Sequence, residues 1–264
     1  MDIPNPFRIQ DLFIAGLLPA LLMIVLLTLY SLYANRGTQL HRGHFSRDQA
    51  LAALYAARWE LPMPVIVLGG IYSGYFAVSE AAAVTAFYVM IVEVFVYREV
   101  PLRELPRVAR EAMMMGGGIL LILGVSLAFT NFLIDAEIPQ ALFDWMATFI
   151  DSKVTFLILL NLALLVLGAI LDIFSALVIM IPLIVPIAVG FGVDPVHLGI
   201  IFLANMQIGY FTPPIGMNLF IASYRFGRPI LEIYRATLPF MAVLLVALAF
   251  ITYVPGLSLA FLDR

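Results

Sequence analysis

The sequence has no cysteine and little charge: none of its 264 residues is Cys, and only 12% are Asp, Glu, Lys or Arg. Without thiols there is no disulfide framework, no thiolate metal site and no cysteine nucleophile. A soluble domain is typically about a quarter charged, so this shortage excludes a soluble globular protein. The 14 basic residues are scattered and the net charge is −3, which leaves no electrostatic footprint for nucleic acid. The H-E-x-x-H and G-x-S-x-G patterns are absent. His41, His44 and His197 fall in expected loops without metal-ligand spacing, so no enzyme is expected. Residues 1–11 hold two acids and two prolines where a cleavable signal has a basic stretch and then an apolar one, so membrane insertion is expected to use internal spans.

What the chain has in excess is apolar length. It is 63% hydrophobic, with a mean hydropathy of +1.05, and several runs approach the roughly 20 residues that a spanning helix needs. The expected fold is an all-α polytopic membrane protein with lipid as its surroundings. Six apolar blocks emerge: Leu12–Tyr33, Leu61–Tyr97, Ala112–Ile134, Val154–Val193, Val196–Tyr224 and Ala236–Leu262. The second and fourth, at 37 and 40 residues, are too long for one crossing at about 1.5 Å per residue and read as helical hairpins. Three segments follow: 1–60, a first transmembrane helix with a cytoplasmic loop or arm; 61–153, a helix pair and the next transmembrane helix; and 154–264, a hairpin, a broken helix and a last helix.

Orientation comes from the basic residues. Placing the loops around Arg36–Arg58, Arg98–Arg110 and Arg225–Arg235 in the cytoplasm puts 11 of the 14 there and leaves Arg8, Lys153 and Arg264 outside, as the positive-inside rule favours. Both termini then face outward, as do the acidic segment 135–153 and the turn 192–197.

A carboxylate at membrane depth costs about 2.5–3.5 kcal/mol on insertion scales, and Asp172 is the most expensive residue here. It sits between long apolar runs with Gly168 and Ser175 nearby, which outlines a hard-oxygen site for a monovalent cation or a proton. The alternative is a paired carboxylate that caps a hairpin turn. A second unusual stretch runs from Asn205 to Asn218. Its Pro213-Pro214 pair removes two donors and breaks the helix near Gly209–Pro214, and such a break at membrane depth belongs where protein buries it or it lines a cavity. One half-helix would end in free carbonyls near Gly209, suited to a cation; the next would start with free amides on Ile215 and Gly216, suited to an anion. Secondary transporters hold ions and anionic substrates with such discontinuous helices. A Pro-kinked helix with packing glycines is the alternative. Ser79 and Glu80, after a Gly-rich turn, read as an N-cap Ser with an acidic first turn, with an ion role as a lesser reading.

These stretches are familiar together. Asp11–Pro19, Gly69–Val84, Phe95–Glu99, Ile181–Pro186, Gly192–Gly199 and Ile208–Leu219 run in family order, and the chain resembles the large membrane subunit of the tripartite ATP-independent periplasmic (TRAP) transporters. The resemblance implies a sodium-coupled importer of small organic anions such as C4-dicarboxylates or sialic acid, in the cell inner membrane. It implies two partners, a periplasmic substrate-binding protein and a small four-helix membrane subunit. It implies an elevator with two inverted repeats, each with a re-entrant hairpin and a broken helix. Carried onto this sequence, Gly168, Asp172, Ser175, Gly209 and Thr212 would bind sodium, with Pro213, Pro214, Gly216 and Asn218 beside the substrate and no other cofactor. Two departures stand out: Phe76-Ala-Val-Ser-Glu80 replaces the family's Phe-Thr-Pro-Thr-Glu, and Ser175 stands where a proline often follows the hairpin acid. The resemblance covers only the C-terminal part of the family subunit, which leaves two readings: a separate chain carries the first repeat, or the gene is split, truncated or mis-started and the product is a non-transporting scaffold.

Overall fold

The computed structural model describes residues 9–36, 46–150, 152–171, 173–213 and 216–262. His41, His44, Asp172, Pro214 and Ile215 lie outside the described residues. Every regular element among those described is helical. Among the described residues, six helices are long and apolar enough to cross a membrane by length and composition: Asp11–Ala34, Ser79–Tyr97, Leu105–Val125, Lys153–Ile170, Ile173–Gly190 and Ile230–Tyr253. This is the all-helical, polytopic architecture expected of the composition. The chain divides into two compact units, one of residues 1–36 and 118–264 and one of residues 37–117.

The larger unit contains α1 (Ile9–Ala15), α2 (Leu17–Ala34), the later part of α6 (Leu105–Asp135), α7 (Ile138–Ala147), α8 (Lys153–Ile170), α9 (Ile173–Gly190), α10 (Pro195–Gly209), α11 (Met217–Phe226), α12 (Ile230–Tyr253) and α13 (Gly256–Leu259). Helix α10 is its centre. One side of α10, with Leu198, Ile201, Phe202 and Met206, packs on Phe156, Leu160 and Leu164 of α8 and on Ala176 and Ile184 of α9. The other side, with Val196, Ile200, Ala204 and Ile208, packs on Ala15 and on Leu244, Leu248 and Ile251 of α12. A helix that is apolar all round is a buried one, and α10 follows that rule.

Local chemistry sets the ends of these helices. Asp194 caps α10, its Oδ1 accepting from the Val196 and His197 amides at 2.8 and 3.2 Å, and Pro195 occupies the first turn, where its missing N–H costs nothing. His197 is therefore not a loop residue: the helix starts two residues before it, and its ring is buried with Nε2 3.2 Å from the Thr252 carbonyl. The segment 135–153 is likewise not plain loop, since α7 lies within it and Phe143 packs edge-on to Phe191. Ser152 caps α8, accepting from Thr155 N–H at 3.2 Å. Lys153, at the start of α8, donates to the Gly192 carbonyl just beyond α9 at 2.7 Å. That bond joins the far ends of α8 and α9, so the 154–193 block is a hairpin that turns between the end of α8 at Ile170 and the start of α9 at Ile173.

The smaller unit holds α3 (Arg47–Ala56), α4 (Pro62–Tyr72), α5 (Val78–Ile91), a π-helical segment (Val92–Tyr97) and the start of α6. Helices α4 and α5 form a second hairpin. Its turn uses Gly74 at φ +76°, and the Phe76 ring fills the space a side chain at Gly70 would need. At the open end, Tyr88 and Tyr97 hydroxyls donate to the Trp59 and Ala56 carbonyls at 2.6 and 3.3 Å. Helix α5 begins at Val78, so Ala77 and not Ser79 is its N-cap. Glu80 supplies the capping in reverse, its Oε2 accepting from the Ala77 amide at 2.9 Å.

Candidate functional site: a hairpin tip docked on a broken helix

All of the site described here lies in the larger unit. Helix α8 ends because Leu171 turns extended, with φ −98° and ψ 149°, and α9 restarts at Ile173. The amide of Ile173 has no partner within its own helix, as for any first-turn residue. It donates to the hydroxyl of Tyr210 at 2.8 Å. Tyr210 is the residue immediately after α10, so the hairpin tip is fastened to the end of the broken helix.

Beside that bond the two backbones touch. A Cβ on Gly209 would lie 2.6 Å from the Gly168 Cα, a separation no real side chain tolerates. A Cβ on Gly168 would lie 3.3 Å from the Gly209 Cα and 3.4 Å from the Met206 Cα. Glycine at both places lets peptide groups converge where α8 and α10 end, as small residues do between membrane helices.

Past Gly209 the chain unwinds. Phe211 N–H donates to the Ile208 carbonyl and Thr212 N–H to the Gly209 carbonyl, both at 2.9 Å, in the tighter pattern common at helix ends. Thr212 Oγ1 donates to the Ile208 carbonyl at 2.9 Å and lies 3.6 Å from Met241 Sδ of α12. The carbonyls near Gly209 are therefore not free as the sequence suggested. Among the described residues Ile208 O takes two donors and Gly209 O takes one, because the unwound residues fold back on them; a carbonyl with a single donor keeps a second lone pair. The next half-helix starts at Met217 after Gly216 at φ +44°, whose Leu219 N–H bond to the Gly216 carbonyl is 2.7 Å. A Cβ on Gly216 would lie 2.9 Å from the Thr212 carbonyl, so the two arms of the break also meet. The Pro-Pro stretch thus divides this block into two helices, α10 and α11.

Of the residues singled out in sequence, the structure brings Gly168, Gly209, Thr212 and Gly216 into one constellation. Ser175 is half-buried in the first turn of α9, behind the docked Ile173. Pro213 is half-buried in the break, and Asn218 is exposed in the first turn of α11. Ser79 and Glu80 belong to the smaller unit. No Asp, Glu, Lys or Arg other than Asp172, which lies outside the described residues, occurs in 154–193 or in 195–224, so the described donors here are neutral hard oxygens of hydroxyl and peptide groups. Such donors suit a hard monovalent cation, while softer sites use imidazole and sulfur. Sequence reasoning missed Tyr210, although it stands between two residues it had chosen. It also passed over Asn161, an amide in the middle of the apolar run that ends at Asp172.

Helical hairpins, membrane-length apolar helices and a helix interrupted between Gly209 and Met217 define a polytopic helical membrane protein. Its family is the TRAP transporters: the family model described as "Tripartite ATP-independent periplasmic transporter, DctM component" matches residues 6–257, and the chain belongs to that family. It is 39% identical over 253 residues to a C4-dicarboxylate TRAP transporter large permease protein, DctM, of Pseudomonas aeruginosa, covering 96% of this chain and 59% of that protein. It is 33% identical over 257 residues to a sialic acid TRAP transporter large permease protein, SiaM, of Vibrio cholerae, covering 95% and 59%. An isethionate TRAP transporter permease protein, DctMQ, of Oleidesulfovibrio alaskensis is 35% identical over 255 residues, covering 96% and 40%. The chain thus spans 59% of the length of the two large permeases. Those relatives are permeases and not enzymes.

Proposed function

We propose that this protein works in the large membrane subunit of a sodium-coupled TRAP importer of small organic anions, of the C4-dicarboxylate or sialic-acid-like class, in the cell inner membrane. Its partners in this reading are a small four-helix membrane subunit and a periplasmic substrate-binding protein. The fusion-like name DctMQ of one relative agrees with a second membrane component. Sodium is the coupling ion, held by Asp172, Ser175, Thr212 and the carbonyls near Gly168 and Gly209. The observation that carries the reading is the contact of Gly168 with Gly209 beside the Tyr210–Ile173 bond, where two chain breaks and their neutral oxygens meet.

The mechanism follows from those groups. A cation between hairpin tip and broken helix draws the remaining carbonyl lone pairs and the acid onto itself, which orders the tip against α10. The substrate carboxylate then takes the amides at the start of α11, near Pro213, Pro214, Gly216 and Asn218, where a helix N-terminus favours negative charge. Binding of each thereby strengthens the other. An elevator movement, with 154–226 as a re-entrant hairpin and broken helix of one repeat, would carry both across. Ser79 and Glu80, in the smaller unit, are the lesser candidates for an ion role.

The test is uptake of labelled C4-dicarboxylate and sialic acid into proteoliposomes holding the protein with its co-purifying subunits and binding protein, with and without an inward sodium gradient. Sodium-driven uptake is expected for one of the two. Asp172→Asn should raise the sodium concentration needed for half-maximal uptake at least about tenfold, and Thr212→Val, which keeps volume and deletes the hydroxyl, should do so less. Unchanged sodium dependence in both variants would remove the ion-site assignment.

A further inference from the structure

Among the described residues, the most deeply buried polar side chains of the larger unit take no part in the site above. Asn205 of α10 and Thr252 of α12 are fully buried, and half-buried Asn161 of α8 stands between them. Asn205 Nδ2 donates to Asn161 Oδ1 at 2.6 Å and to the Ile201 carbonyl at 2.8 Å. Asn161 Nδ2 donates to the Leu157 carbonyl at 2.8 Å and to Thr252 Oγ1 at 3.2 Å. One amide pair therefore ties three helices together. Asn205 Oδ1 has no partner among the described residues, so the donors set the orientation of this amide even though its acceptor bond goes unmade, which is costly in a buried setting.

Spacing links this pair to the glycines. Asn161 precedes Gly168 by seven residues, about two turns, and Asn205 precedes Gly209 by four, about one turn. Lower-numbered residue meets lower-numbered on both occasions, so α8 and α10 run parallel along one seam with an amide contact at one level and a glycine contact at the next. Sliding α8 along α10 by one turn, about 5.4 Å, would part both contacts. The leucines, isoleucines and methionine that fill the rest of the seam discriminate poorly between registers, because one apolar side chain fits nearly as well a turn away. A single buried polar pair does discriminate, as a buried Asn fixes register in coiled coils.

We infer that Asn161 and Asn205, backed by Thr252, are positioning residues that fix the register of α8 on α10 and so bring Gly168 onto Gly209. Their effect on sodium rests on the transporter reading above; their effect on register does not.

The test uses Asn161→Leu/Asn205→Leu, which leaves no unpaired amide in the seam, in protein purified with its native partners in membrane discs. Gly209→Ala is introduced into the wild type and into this background, and thermal melting is followed. In the wild type the added methyl collides with Gly168 and the melting temperature falls; in the double-variant background the fall should shrink to less than roughly half, the coupling expected only of residues sharing one interface. Equal falls overturn the register role. Sodium titrations of melting give the second readout: the half-maximal concentration should rise about tenfold in the double variant, the scale seen when a supporting shell is lost. A wild type that sodium does not stabilise sinks the ion-site reading and leaves the Gly209 coupling to decide; a wild type that responds, with a double variant responding at the same concentration, overturns the positioning role. Should the double variant fail to assemble, Thr252→Val removes the third tie while keeping volume, and the same two measurements apply.

Discussion

Gly216 holds φ at +44°, in the left-handed region that L side chains occupy at a cost of about 1–2 kcal/mol, and a methyl there would also press on Leu219 Cδ1 at 2.8 Å. Gly216→Ala should therefore lower the melting temperature by several degrees, roughly 2–4 °C per kcal/mol for a chain of this size; an unchanged melt would show that the break relaxes freely. Tyr210→Phe is a cleaner cut, since it removes one hydroxyl and leaves the Ile173 amide without its acceptor. The expected loss is about 1–3 kcal/mol, with faster hydrogen exchange at Ile173 as the direct check; unaltered exchange would detach the hairpin tip from α10. At this scale the sequence revealed what is expensive. A lone acid and a double proline announce themselves because charge and missing donors are costly in lipid. Asn161, Tyr210 and Asn205 are cheap in isolation, and their partners lie 37, 44 or 91 residues away, so pairing was invisible. His197 and Ser79 were misplaced by one or two residues of helix start, for want of seeing Asp194 cap the amides ahead of it and Glu80 reach back to Ala77.

Among the elements, the hairpin α8–α9 depends on its two ends for different reasons. The tip is fixed by Tyr210, and the base by the Lys153–Gly192 bond at 2.7 Å with Phe156 stacked on Phe191 at 4.7 Å. Lys153→Met keeps the stem of the side chain and deletes the charge-assisted donor, a change of about 1.5–3 kcal/mol. Hydrogen exchange should quicken around 190–193 while the tip at 173 stays protected; simultaneous loosening of both would mean that the hairpin is one cooperative piece. The hairpins themselves were legible, because a 40-residue apolar run is too long for one crossing and has to turn back. Helix α7 within 135–153 was not, since four acids in nineteen residues mask the apolar face that Leu142, Phe143 and Met146 turn toward α9.

For the whole molecule, native-membrane pull-down of the protein tagged at its own locus, with intact masses of everything retained, is the decisive experiment. A small membrane subunit and, if the first repeat is separately encoded, a second chain carrying it are expected; recovery of this chain alone would favour the non-transporting scaffold. The central place of α10 has a further reach. Eleven of its fifteen residues are buried, whereas α2, α8 and α12 turn Leu21, Ile24, Leu162, Val166 and Val246 outward. A membrane-soluble photolabel should accordingly mark peptides of those three helices and leave α10 blank. The one helix that ends in the break has no lipid of its own to slide against, so any displacement of the site must take the surrounding helices with it, as a passenger moves with the carriage and not along it.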